Sequence, residues 1–318
     1  DRIMIINGAG MIAIEQVSIE PIINLLQQVA PGKLHDLDEL IKELNPRLKL
    51  DFVTERILFQ ADSSCNTITV GVKCTCRLQA HAYAYAIILS AFGTQNYCNL
   101  TPDERKRLFA PADPLLNWAV GSDLQQWAAG IDDVLQYIFG KIGSAPGKNL
   151  LANLTDKQRI LGEGYFRYAL AFIFLHELAH LKYGHIKCGG DISIQQEKEA
   201  DLFAAEWLID SLQNKLSKRM ASLYGIAIAL LWLTVRDIFL GPQQSSNHPP
   251  GYDRLFQVLN QVVDNNTDEE ELVFHFLKYI LFCHIDSTGI EVDGAQLQGS
   301  QKEQVNYLIN LISKEKPW

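Results

Sequence analysis

Hydrophobic positions recur every three to four residues through the second half of the chain, a spacing typical of α-helices that bury one face. Six helices are predicted there, with loops at 241–248 and 287–299. The predicted helices cover residues 155–184, 193–216, 219–240, 250–263, 268–284 and 301–313. A segment with glycine and proline at 143–149 precedes them and is typical of a linker. We therefore expect a helical region over 150–318.

The first half of the chain has a more mixed pattern. A β-branched, roughly alternating run at 67–78 predicts a strand, and with a second strand at 48–60 it predicts a β-hairpin over about 48–78. Helices are predicted at 22–26, 37–44, 80–92 and 121–142. The expected fold class is α+β and predominantly helical, with an N-terminal α+β region at 1–149.

Composition restricts the class of protein. Of 318 residues, 47% are hydrophobic and 20% are charged, which suits a large core and not a disordered chain. A net charge of -9 makes nucleic acid an unexpected partner. Six scattered cysteines do not resemble a disulfide scaffold and indicate reduced thiols. The most apolar run, 221–235, is shorter than the roughly 20 residues of a membrane span, and no signal peptide is visible. We expect a cytoplasmic protein without a membrane span.

One predicted helix carries an H-E-x-x-H motif, formed by His176, Glu177 and His180. Residues four apart share a helix face, so both histidines can direct a ring nitrogen at one metal ion. Glu177 lies one position further round, where it can reach a water at the open position of the ion. Imidazole and carboxylate ligands favour zinc. The alternative is an amphipathic helix with a polar side, but the surrounding leucines would bury these groups at considerable cost without a metal or hydrogen-bond partners.

A third protein ligand is expected downstream. The metzincin pattern requires glycine and histidine three and six residues after His180, and those positions hold Tyr183 and Ile186. The gluzincin pattern requires a glutamate on a later helix, where Glu197 and Asp201 belong to an E-x-x-A-D sequence. Glu197 is predicted to complete the metal site. Asp201, on the same helix face, is predicted to accept the other ring N–H of the first motif histidine. A solvated acidic helix face is the alternative.

Three segments carry a resemblance to known peptidases: HELAHLKYGH from His176, EKEADLFAAEWL from Glu197, and NHPPGYDRL further on. They resemble gluzincin peptidases of the HtpX and CAAX-prenyl type, and still more the soluble phage-exclusion peptidases of the Lit type, over about residues 155–259. The resemblance implies a zincin-like peptidase core. In that core His176, His180 and Glu197 bind one zinc ion, and Glu177 is the general base.

The last segment resembles the later H-P-P…R signature of those families, which implies a position near the cleft. His248 and Tyr252 could each donate a hydrogen bond to a developing oxyanion. Arg254 could act in catalysis or form a structural salt bridge. His185 lies five residues beyond His180, off the ligand face of an ideal helix. We expect His185 beside the ligands or at the helix end, not bound to the ion.

The pattern as a whole predicts a zinc-dependent endopeptidase acting on a protein or peptide substrate. The Lit-type resemblance implies phage defence and a host protein substrate such as a translation elongation factor. One alternative is a catalytically silent zinc-binding interaction protein, which an intact Glu177 argues against because a structural site needs no base. Another is a non-peptidase zinc hydrolase or toxin-like effector. A peptidase in the cytoplasm must be restrained, so an activating or inhibitory partner is also expected.

Overall fold

A computed structural model of the chain shows a small sheet packed with a set of long helices. It describes residues 4–6, 12–51, 59–92, 154–185, 191–210, 216–240, 251–264, 267–288 and 290–315, with a few positions between 101 and 112. The predicted fold class, α+β and predominantly helical, is confirmed for these residues. The predicted helix at 121–142 and the linker at 143–149 lie outside them.

The sheet is built from the first 71 residues of the chain. Its strands are β1 (Met4–Ile6), β2 (Ile12–Val17), β3 (Arg47–Asp51), β4 (Phe59–Asp62) and β5 (Thr67–Gly71). Their order is β1-β2-β3-β5-β4. The β3–β5 pair is parallel and the others are antiparallel. The strand predicted at 48–60 is therefore two strands, β3 and β4. The predicted hairpin is formed by β4 and β5, which leaves β4 at the edge of the described sheet.

The strand predicted at 67–78 is wrong beyond Gly71. From Val72 onward the chain forms α3 (Val72–Phe92). Cys74 and Cys76, which a strand would place on one face, are both fully buried on this helix. Nearly every described side chain in its first four turns is buried, the polar ones included. A helix that is buried on all sides has no polar face, so its sequence lacks the helical repeat of polar and apolar residues. The β-branched residues at the start of this segment then resemble a strand.

The remaining helices surround a central one, α4, which carries the H-E-x-x-H motif. They are α1 (Glu20–Val29), α2 (Leu34–Leu44), α4 (Asp156–Lys182), α5 (Asp191–Asp210), α6 (Leu216–Leu240), α7 (Gly251–Val262), α8 (Asp268–Thr288) and α9 (Gln301–Glu315). The six helices predicted after residue 150 are confirmed, with ends shifted by a few residues. Helices α3, α5 and α6 and strand β4 pack against α4. Elements from both halves of the chain thus contribute to one hydrophobic core.

The apolar run at 221–235 belongs to α6, which packs closely along α4. A Cβ atom at Gly225 would lie 2.3 Å from Cβ of Tyr168 and 2.9 Å from the backbone nitrogen of Ala169. Only glycine permits this approach. The described part of the run is largely buried, as predicted. Within the part of the chain that the structure describes, no helix combines the length and apolar content needed to cross a bilayer.

Candidate metal centre

The H-E-x-x-H motif lies in the last two turns of α4. Thr155 caps the start of the helix: its side chain accepts a hydrogen bond from the backbone of Gln158 in a capping box. A long buried apolar stretch then leads to the motif. His176 and His180 are one turn apart, and their Nε2 atoms are 3.0 Å from each other. The two rings therefore direct the same nitrogen to one point, as the spacing predicts.

Glu197 on α5 brings a carboxylate to that point. Its Oε2 lies 3.5 Å from Nε2 of His176, and its Oε1 lies 3.4 Å from Nε2 of His180. Donor atoms around a tetrahedral zinc ion are expected about 3.3–3.6 Å apart, given ligand distances of about 2.0–2.2 Å. The two distances from the carboxylate to the ring nitrogens fall in this range, and the 3.0 Å between the two ring nitrogens is slightly shorter. The three side chains could hold one metal ion, and at 6% and 5% exposure His176 and Glu197 are largely shielded from water.

Asp201 and Arg254 lie next to the cluster and contact its members. Oδ1 of Asp201 lies 2.9 Å from Nδ1 of His176. That distance suits a hydrogen bond, although the oxygen lies away from the direction of the N–H bond. Arg254, on α7, donates from Nε and Nη2 to both oxygens of Asp201, at 2.8 and 2.7 Å. Its Nη1 lies 3.2 Å from Oε2 of Glu197. One guanidinium group therefore contacts two carboxylates of the site.

The charges in this cluster shift the pKa of His176 and of Asp201. Burial lowers the pKa of His176, but Asp201 and Glu197 outweigh burial and raise the pKa to about 10. Burial raises the pKa of Asp201, and Arg254 outweighs that effect and lowers it. The neighbouring carboxylates therefore favour the cationic form of His176 when no metal ion is bound. Because a metal ion requires the neutral imidazole, metal binding and protonation compete at this ring.

Glu177 does not join the three-ligand cluster but faces β4. Its Oε2 accepts a hydrogen bond of 2.6 Å from the backbone N–H of Ala61. Two residues earlier, Phe59 packs edge-on against Phe174 of α4, with ring centroids 4.7 Å apart. β4 therefore contacts α4 through one side chain and one backbone N–H. The edge of β4 that is not paired with β5 runs beside the motif.

His185 lies beside His180 because α4 ends shortly before it. Gly184 adopts a left-handed conformation, with φ of +63°. The backbone N–H of His185 donates to the carbonyl of His180 at 2.9 Å, and that of Gly184 donates to Leu181 at 3.2 Å. This is the Schellman arrangement that ends many helices. His185 therefore lies just past the helix end and beside His180, and it is not one of the three clustered side chains. The glycine after the motif was the sequence signal for this turn.

Tyr252, His248 and Arg254 were also predicted near the site. Tyr252 lies at the start of α7 and packs its partly buried ring against the hydrophobic core. Its contact with an oxyanion stays a prediction. His248 lies outside the described residues. Arg254 was predicted either for catalysis or for a salt bridge, and its guanidinium lies on Asp201 and Glu197.

Comparison with known proteins points to one class. The model of the family described as Peptidase U49 matches residues 141–277. The chain is similar to peptidases. A protein named Cell death peptidase, from Escherichia coli (strain K12), is 27% identical over 130 residues, which are 41% of this chain and 43% of that protein. The chain thus matches less than half the length of this curated relative. No solved structure matches the chain.

The match and the site coincide. The matched segment includes the three clustered side chains, Glu177, Asp201 and Arg254, whereas β4 lies before it. The resemblance predicted over about 155–259 is confirmed at the level of similarity to a peptidase family. The finer gluzincin assignment and the roles of individual residues are proposals.

Proposed function

We propose that the protein is a zinc-dependent endopeptidase. The observation that carries this proposal is the convergence of His176, His180 and Glu197 at ligand spacing, with the carboxylate of Glu177 next to them in sequence. The similarity to a peptidase family over this same segment supports it. Two imidazoles and a carboxylate are a donor set that suits zinc and leaves a position open for catalysis.

Zinc, when bound, supplies the Lewis acidity that polarises the scissile carbonyl and makes the attacking water more acidic. Glu177 takes a proton from that water during attack and delivers it to the leaving amine. The N–H of Ala61 holds the carboxylate of Glu177 in place. Arg254 holds Asp201 and Glu197. We assign Arg254 to positioning rather than to contact with substrate, because its described contacts are with these carboxylates.

The substrate is proposed to bind as an extended strand along the outer edge of β4. That edge lies beside the motif helix and presents the backbone N–H of Ala61 toward Glu177. An extended peptide can add to such an edge through main-chain hydrogen bonds, largely independent of its sequence. Addition here would carry a peptide bond past Glu177.

Ala61→Pro tests the hydrogen bond by which this edge holds Glu177. The N–H of Ala61 bonds with Glu177 rather than with β5, so proline removes no bond between the strands. We expect metal content to be unchanged and kcat/KM to fall about tenfold or more, because a hydrogen bond to a charged group is worth roughly 1.5–3 kcal/mol. Ala61→Val, which keeps the N–H, is the control. Equal cleavage by the proline variant and the control would exclude a role for this hydrogen bond in holding Glu177.

The narrower proposal concerns the substrate. The similarity to a protein named Cell death peptidase, over less than half of either chain, suggests cleavage of a protein that the cell needs. A translation elongation factor in the cytoplasm is our candidate substrate, and phage defence, under the control of an activating or inhibitory partner, is the proposed setting. A catalytically silent zinc-binding protein is the competing function. Glu177 held beside the cluster favours the enzyme.

The test combines metal analysis with product analysis. Purified protein is expected to contain one zinc ion, to cleave a denatured protein mixture, to lose cleavage on chelation and to regain it with zinc. Mass spectrometry of the products should show new termini at peptide bonds, and induction in cells should remove the full-length form of a specific protein. Zinc binding without any cleavage would favour the silent protein, and products without new termini would indicate another hydrolase.

A further inference from the structure

A chain of polar contacts leads away from His180 on the side opposite the cluster. Nδ1 of His180 lies 2.9 Å from Nδ1 of His185. Nε2 of His185 in turn lies 3.1 Å from Oε2 of Glu199 on α5. The side chain of His185 is only 7% exposed, whereas that of Glu199 is 47% exposed. These contacts therefore connect the buried site with a carboxylate at the surface.

One arrangement of protons satisfies every contact in this chain once the cluster holds a metal. Nε2 of His180 faces His176 and Glu197, so it is the nitrogen that binds the ion. The proton of a neutral His180 must then be on Nδ1, which can donate to Nδ1 of His185. His185 can accept only if its own proton is on Nε2, and from there it donates to Glu199.

We propose that His185 and Glu199 are positioning residues, which fix the ring of His180 for metal binding through these two hydrogen bonds. The inference rests on the proposed metal site and deepens it. Ligand histidines generally donate their second N–H to a carboxylate or a carbonyl. Asp201 lies 2.9 Å from the second ring nitrogen of His176, whereas His180 reaches the carboxylate of Glu199 through a second imidazole.

Two hydrogen bonds to the backbone of His185 hold this residue in place. The left-handed turn at Gly184 and the bond from the N–H of His185 to the carbonyl of His180 bring the ring back over the helix end. The hydroxyl of Ser63, in the turn between β4 and β5, donates to the carbonyl of His185 at 2.9 Å. The same hairpin that places Ala61 at Glu177 thus also anchors His185.

His185→Phe tests the proposal because it keeps a ring and removes both nitrogens. We expect zinc affinity, measured by competition with a chelator, to fall about 10–100-fold, the range found for partners of ligand residues. Melting of the metal-free protein should be nearly unchanged. Glu199→Gln keeps an accepting oxygen and should bind zinc within about threefold of wild type, whereas Glu199→Ala should bind more weakly. Glu206→Ala, at an exposed carboxylate on the same helix, is the matched control.

A second measurement needs no variant. Nitrogen-15 NMR of the zinc-loaded wild type should show His185 protonated on Nε2 and His180 protonated on Nδ1. Wild-type zinc affinity in His185→Phe, or a proton on Nδ1 of His185, would overturn the positioning role alone. A wild type that binds no zinc would overturn both this inference and the metal site. Zinc binding without cleavage would overturn only the peptidase proposal.

Discussion

Glu177→Gln is expected to bind zinc as tightly as wild type and to cleave protein substrate about 10²–10⁴-fold more slowly, the range that general acid–base catalysis contributes. The amide is nearly the same size as the carboxylate and can still accept the N–H of Ala61 through its oxygen. It cannot take a proton from water. Glu177 is not one of the three clustered ligand groups, so their geometry should be unaffected.

The measurement is zinc content together with kcat/KM on one protein substrate. Glu163→Gln is the matched control, because Glu163 lies on the same helix with its side chain 40% exposed. That control should cleave like wild type. If Glu177→Gln retained full activity, the proposed base would be wrong. Loss of zinc from Glu177→Gln would instead mean that Glu177 supports the ligands.

Arg254→Met is expected to destabilise the metal-free protein by about 3–5 kcal/mol, the typical cost of removing one partner from a buried charge network. Arg254 is 7% exposed, and its guanidinium donates two hydrogen bonds to Asp201 and contacts Glu197. Methionine fills much of the same volume, so the loss should arise from the charge rather than from a cavity. Urea unfolding after chelation measures it.

Arg167→Met provides the comparison, since Arg167 pairs with Glu163 on the surface of α4. An exposed pair of this kind is worth about 0.3–0.5 kcal/mol. Adding Asp201→Leu to Arg254→Met removes one of the two buried carboxylates that have lost Arg254 and should restore part of the stability. It should not restore zinc affinity, because His176 then lacks its neighbour. Equal losses in the two single arginine variants would contradict the proposed role of Arg254.

Local spacing along the chain determines the centre of the site. His176 and His180 are one helical turn apart, and so are Glu197 and Asp201. Because an α-helix repeats every 3.6 residues, each pair must share a face wherever the helix lies. Regular apolar spacing likewise predicts the helices after residue 150. These features depend on neighbours within a few residues, so the sequence alone determines them.

Tertiary packing decided the remainder. The described side chains in the first four turns of α3 are all buried, so no polar face marked this segment as a helix. Arg254 meets Asp201 across 53 residues, and Ala61 meets Glu177 across 116. The second contact is made by a backbone N–H that every residue except proline has. Such pairings depend on how α5, α7 and β4 dock on α4, which local spacing does not encode. The sequence thus determined which side chains could hold a metal, and the fold determined which groups hold those side chains in place.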